Sequence, residues 1–157
     1  MPRRPYKKRV VDPDPVYGSQ VVAKLINYIM RDGKKSVAQR IVYKTFDNLK
    51  VKKLDPLEIL EKAIENTAPS MEVRPRRLGG ASYLVPIPVR PERRIFLSLN
   101  WIIKAAQSRS SKQYKNFIEK LTAELLAAAE GEGGAVEKRR EVEKLAEANK
   151  AFAHLRW

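Results

Sequence analysis

The stretch MEVRPRRLGGASYLVPIPVRPERR, residues 71–94, constrains the fold more tightly than any other segment of the chain. Tyr83, Val85, Ile87 and Val89 alternate with Leu84, Pro86 and Pro88, the period of two expected of a strand. Proline has no backbone N–H, and residues two apart in a strand aim their backbone groups at the same edge. Pro86 and Pro88 therefore strip donors from one edge, and the strand can pair along its other edge only. A two-stranded ribbon meets that condition, whereas the centre of a larger sheet does not. Gly79-Gly80 permits the tight reversal, and on the first strand Glu72, Arg74 and Arg76 share a face opposite Met71 and Val73. Isolated ribbons are marginal in water. This one is expected to lean on the rest of the fold at its base and on a partner along its length.

Around the ribbon the pattern is helical. Val22, Leu25, Ile26 and Ile29 predict a helix over residues 19–31, stopped at RDGKK by Gly33. Ser36 and Gln39 read as a capping box for a second helix, with Val37, Ile41, Thr45, Phe46 and Leu49 on its buried face. Asp55-Pro56-Leu57-Glu58 supplies a cap, a first-turn proline and a returning carboxylate for a third, with Leu57, Leu60 and Ile64 as its stripe and Pro69 as its end. Pro91 and Glu92 open a fourth helix to about residue 107, with Ile95, Leu99, Ile102 and Ala106 on one face. Tyr114, Phe117, Ile118, Leu121 and Leu125 mark a fifth, broken by GEGG at 131–134. A charged last helix to about residue 150 has only Val142, Leu145 and Ala146 as an apolar strip. MPRRPYKKRVVDPDPVYG lacks apolar periodicity and reads as an extended arm that orders on a partner. The expected fold is mainly α: about six helices with one protruding two-stranded antiparallel β-ribbon and a basic extended N-terminal arm. Residues 1–18 form the arm, and 19–157 form a single helical domain with the hairpin inserted at about 72–90.

The charge is concentrated. The 157 residues hold 32 Lys+Arg against 18 Asp+Glu, a formal net charge of +14. Arg3, Arg4, Lys7, Lys8 and Arg9 give the first ten residues a net +5. Arg74, Arg76, Arg77, Arg90, Arg93 and Arg94 against Glu92 give residues 73–94 another +5. Protecting an exposed sheet edge needs one or two charges, not six arginines. Such clustering is the footprint of a polyanion, and the guanidinium's planar fork suits phosphate oxygens. Tyr83 stands beside these arginines and is suited to stacking on a base. Arg31, Lys34 and Lys35 of RDGKK read alone as an ordinary solvated cap; beside two other basic clusters they read as a third phosphate contact.

Enzyme chemistry finds no footing. The chain has no cysteine and one histidine, His154, so neither a thiolate site nor a paired-histidine zinc motif is available. GEGG lacks the lysine and hydroxyl of a nucleotide loop and carries Glu132, which repels phosphate. No cofactor is expected. No apolar run reaches the length of a bilayer span, and the N-terminus lacks a signal-peptide core. Neither a membrane nor a homo-oligomer is expected. Two readings remain: an RNA-binding structural protein, or a DNA-bending protein that inserts a basic ribbon and its prolines into a minor groove.

MPRRP, INYIMRDGKKSVAQRIVY, DPLEILEKAIEN, the ribbon segment and LAEANKAFAHLRW occur in this order along the chain. Together they closely resemble the family of bacterial-type small-subunit ribosomal protein number seven, over residues 2–157. The resemblance implies a primary binder of small-subunit ribosomal RNA, in its 3′ major domain, that nucleates assembly of the subunit head. It implies RNA contacts from the arm, from Arg31, Lys34 and Lys35, and from the arginines of the hairpin. It further implies that Gly79, Gly80, Ala81 and Tyr83 at the hairpin lie near exit-site transfer RNA and the messenger path, with Lys150, His154, Arg156 and Trp157 at the C-terminus. The neighbours implied are small-subunit proteins nine and eleven. The location implied is the cytoplasmic ribosome, or an organelle interior for a chloroplast or mitochondrial source. Pro75, Leu84, Pro88 and Leu155 depart from the residues usual in the family, the first three within the ribbon.

Overall fold

The computed structural model describes residues 10–155. In chain order it contains α1 (Gln20–Ile29), α2 (Lys35–Val51), α3 (Pro56–Thr67), β1 (Met71–Leu78), β2 (Ala81–Pro88), α4 (Pro91–Ser108), α5 (Phe117–Ala129), α6 (Gly134–Ala148) and a 3₁₀ helix at Lys150–Leu155. This is the expected mainly helical architecture with one two-stranded antiparallel sheet. The chain divides into two compact units, Met1–Val42 and Tyr43–Trp157, with the division falling inside α2.

In the first unit, Val22, Leu25 and Ile26 of α1 and Ala38 and Val42 of α2 are buried. Asp14 is also buried, and its carboxylate accepts the amides of Val16 and Tyr17, both at 3.1 Å, folding the segment before α1 into a turn. The α1–α2 loop uses two left-handed residues, Asp32 (φ 51°) and Gly33 (φ 71°), where only Gly33 was expected. α2 begins at Lys35, so Ser36 lies inside its first turn and does not cap it. The buried face shifts with it. Val37 is 48% exposed, and Ala38, Val42, Thr45, Phe46 and Leu49 follow the helical repeat into the interior.

In the second unit, α5 packs on α3 and α4, and α6 packs on α4 and on β1. The core there comprises Phe46 and Leu49, Leu60 and Ala63, Leu99, Ile102, Ile103 and Ala106, and Leu121, Leu125 and Ala128, with Ala135, Val136 and Ala146 from α6. α3 starts where the sequence signals it: Asp55 Oδ1 accepts the Leu57 amide at 2.9 Å and Pro56 takes the first turn. Glu58 pairs with Lys62 Nζ (2.6 Å) instead of returning to the cap. α5 begins at Phe117, leaving Tyr114 in the preceding turn. Of the apolar strip expected on α6, Ala146 is buried and Val142 half-buried, but Leu145 is 46% exposed. Ala135 and Val136 at the start of the helix, where α6 approaches α4, are buried as well.

Candidate nucleic-acid interface

β1 and β2 pair antiparallel from Met71↔Pro88 to Leu78↔Ala81. Gly79 (φ 55°) and Gly80 (φ 89°) are both left-handed, which makes a two-residue turn of the type whose twist matches a hairpin. Such a turn is flanked by a hydrogen-bonded pair, here Leu78↔Ala81, and the pairs alternate from there. Arg76↔Tyr83, Arg74↔Val85 and Glu72↔Ile87 are then hydrogen-bonded, and the Val89 amide continues the ladder to the Ser70 carbonyl at 3.1 Å. Pro75, Pro86 and Pro88 all fall on the intervening pairs, whose N–H positions face outward. Pro75 is thus as compatible with pairing as the other two.

Residues opposite one another share a face. Arg74, Arg76, Tyr83 and Glu72 lie on one face of the ribbon, as expected, and Arg77 lies on the other. The tip, residues 77–82, is exposed throughout. The base is held on two sides. Glu143 of α6 accepts the Ser70 amide at 3.0 Å and the Ser70 hydroxyl at 2.9 Å. Glu72 is 7% exposed and binds two arginines. Arg74 donates to its Oε1 from Nε (3.0 Å) and Nη2 (2.8 Å). Arg93, in the first turn of α4, donates from Nε to both oxygens, at 2.9 and 2.7 Å. Burial pushes the Glu72 carboxyl up, but hydrogen bonds and charge from Arg93 and Arg74 together hold it below the usual range. Of the six arginines, Arg74 and Arg93 are therefore brought together by a carboxylate. Arg77, Arg90 and Arg94 are exposed, and Arg76 is half-buried.

Tyr83 has a protein partner: its ring centroid lies 5.3 Å from that of Phe152, tilted by 51°. The 3₁₀ helix that carries Phe152 packs along β2. A ring held in this way is half-buried and is not presented as a free stacking platform. Nearby, Lys150 Nζ pairs with Glu147 at 3.1 Å, and His154 Nδ1 lies 2.8 Å from the Ala151 carbonyl. Arg31, Lys34 and Lys35 are exposed around the left-handed turn of the first unit. Arg3, Arg4, Lys7, Lys8, Arg9, Arg156 and Trp157 lie outside the described residues. Among the described residues no group of three or more histidines and carboxylates is arranged to hold a metal. No described helix is long and apolar enough to cross a membrane.

The family model of ribosomal protein S7p/S5e matches residues 1–150. The chain belongs to the ribosomal protein S7p/S5e family. It is 55% identical, over the full length of both chains, to the small ribosomal subunit protein uS7 of Carboxydothermus hydrogenoformans. It is 54% identical over the full length to the proteins of the same name from Caldicellulosiruptor bescii and Dictyoglomus turgidum. Within this S7p/S5e chain, the matched region takes in the RDGKK loop and the whole ribbon.

Sequence reading alone did not single out the carboxylates that organise this member of the S7p/S5e family. Glu72 was visible on the arginine face, but its contact with Arg93 of α4 is made only by folding, across 21 residues of chain. Glu124 is 1% exposed; it accepts Arg109 Nε at 2.7 Å and the Ala135 amide at 3.0 Å. Gly133 (φ 91°) passes so close that a Cβ there would meet Glu124 Oε1 at 3.0 Å and Ala127 Cβ at 3.2 Å. GEGG is thus a helix stop and restart, as its glycines suggest, built around a buried ion pair.

Proposed function

We propose that this chain is a non-enzymatic structural component of the small ribosomal subunit and acts by binding small-subunit ribosomal RNA. The full-length match to proteins named for that subunit carries the reading. The chemistry that supports it is the set of exposed guanidinium and ammonium groups, Arg77, Arg90 and Arg94 on the ribbon and α4, and Arg31, Lys34 and Lys35 on the α1–α2 loop. Such groups neutralise phosphates and orient a protein on folded RNA, which is recognised chiefly through shape and backbone.

In this reading the RNA is the 3′ major domain, binding nucleates the subunit head, and residues 1–18 serve as a basic arm in the same contact. The hairpin tip at Gly79, Gly80 and Ala81, together with the C-terminal segment, faces exit-site transfer RNA and messenger. Small-subunit proteins nine and eleven are its neighbours. These assignments rest on the family resemblance of the motifs that bear the residues.

Competition binding tests the proposal. The full chain is titrated with the 3′ major-domain fragment at physiological salt, against unrelated folded RNA and duplex DNA. A strong preference for the fragment is expected. Equal binding to all three would leave only a non-specific grip, and preference for bent duplex DNA would favour an architectural DNA-binding role.

A further inference from the structure

Glu72 sits awkwardly in a phosphate-binding ribbon. It is an acid on the arginine face, it is nearly buried, and it cancels one of the charges the ribbon gathers. Its two partners come from different elements, Arg74 from β1 and Arg93 from α4, 21 residues away in the chain from Glu72. Each guanidinium has five N–H donors. Arg74 commits two of them to Glu72 and Arg93 commits one, so most of the combined donor set is left over. Their side chains remain 51% and 43% exposed, against 9% for that of Glu72. The carboxylate is thus the buried member of the trio, and the two guanidinium groups that bind it keep further donors on side chains that remain partly exposed.

We propose that Glu72 is a positioning residue: it locks Arg74 and Arg93 into one preorganised double fork that receives adjacent phosphate oxygens of a folded RNA. The inference rests on the RNA-binding reading above and adds to it the device that sets its geometry. Two arginines converging without the acid repel each other, and each long side chain must be ordered when the ligand arrives. With the acid, the forks are held by charge-assisted bonds before binding, and bidentate phosphate contact is both stronger and more directional than a point charge.

The proposal makes a prediction opposite in sign to simple electrostatics. Glu72→Gln preserves the shape and raises the net charge by one, so if charge alone matters all RNA should bind as tightly or more tightly. If Glu72 positions the forks, E72Q binds the 3′ major-domain fragment about tenfold more weakly, the scale of a charge-assisted contact, while its affinity for unrelated folded RNA is unchanged or increased. Unchanged or tighter binding to the fragment would overturn the proposal, as would an equal loss on both RNAs. Arg93→Lys gives a second arm that keeps the charge and removes the fork. Its penalty on the fragment should largely vanish in the E72Q background, and additive penalties would also overturn the proposal. A wild-type chain showing no preference for the fragment sinks the RNA reading itself; a selective wild type with an equally selective E72Q sinks only the positioning role.

Discussion

Arg109 Nε meets Glu124 Oε2 at 2.7 Å, and that one contact ties the end of α4 to the middle of α5. The other carboxylate oxygen accepts the Ala135 amide, so the same side chain also fixes the start of α6. A carboxylate with 1% exposure has no water to fall back on, and its partner covers it with a guanidinium seated 5.7 Å from the Tyr114 ring centre.

Removing either partner leaves a buried or half-buried charge without its counterpart. Glu124→Ala is expected to cost about 3 kcal/mol, within the range for breaking buried pairs. Glu124→Gln, which retains an acceptor for Ala135, should cost less. Urea unfolding monitored by circular dichroism gives both values, and an E124A loss below 1 kcal/mol would show that the pair merely breaks even with solvent.

Tyr83 and Phe152 join the ribbon to the C-terminal 3₁₀ helix. A double-mutant cycle with Tyr83→Ala and Phe152→Ala should return a coupling of about 0.5–1.5 kcal/mol, the scale for tilted aromatic pairs. Zero coupling would mean that the two rings are neighbours without interaction.

Glu72 makes stability depend on pH in a defined direction. Its folded carboxyl binds protons less readily than an unfolded glutamate, whose pKa is roughly 4.3. The stabilisation is therefore complete above that value and is lost as pH falls through the lowered folded one. The unfolding free energy of wild type minus that of Glu72→Gln should hold steady from neutrality down to about pH 5 and shrink below about pH 4. A difference that grows on acidification would contradict the paired geometry.

Phosphate contact carries a salt signature. With about eight phosphates neutralised, the log–log slope of RNA affinity against salt should be roughly −5 to −7. A slope near zero would remove the electrostatic grip from the account.

The ribbon was the most legible part of the fold because its constraints are local. Two prolines at even spacing and a glycine pair define edge, turn and register without reference to anything distant. Helix termini with their own chemistry, such as Asp55-Pro56 and Pro91-Glu92, were legible for the same reason. Val37 and Leu145 were misplaced because amphipathic spacing gives a stripe but not its phase, and the phase follows from neighbours the sequence does not display. The candidate site divides in the same way. Arginine clustering is written along the chain, whereas the meeting of Arg93 with Glu72, or of Phe152 with Tyr83, is made by folding. Only the presence of a single acid on a basic strand face hinted at Glu72, and nothing comparable pointed to Phe152.

The three prolines of the ribbon have a further consequence. Pro75 removes an outward donor from the free edge of β1, and Pro86 and Pro88 remove two from the free edge of β2. A third strand laid against either side would find that edge's donors incomplete, most of all at the base of β2, where two successive outward positions are proline, so extension of the ladder is disfavoured. The prolines thus blunt both edges of the ribbon against strand exchange and cross-β templating, while its tip at residues 77–82 stays exposed. A hairpin edged in this way is a poor template for a second copy of the chain.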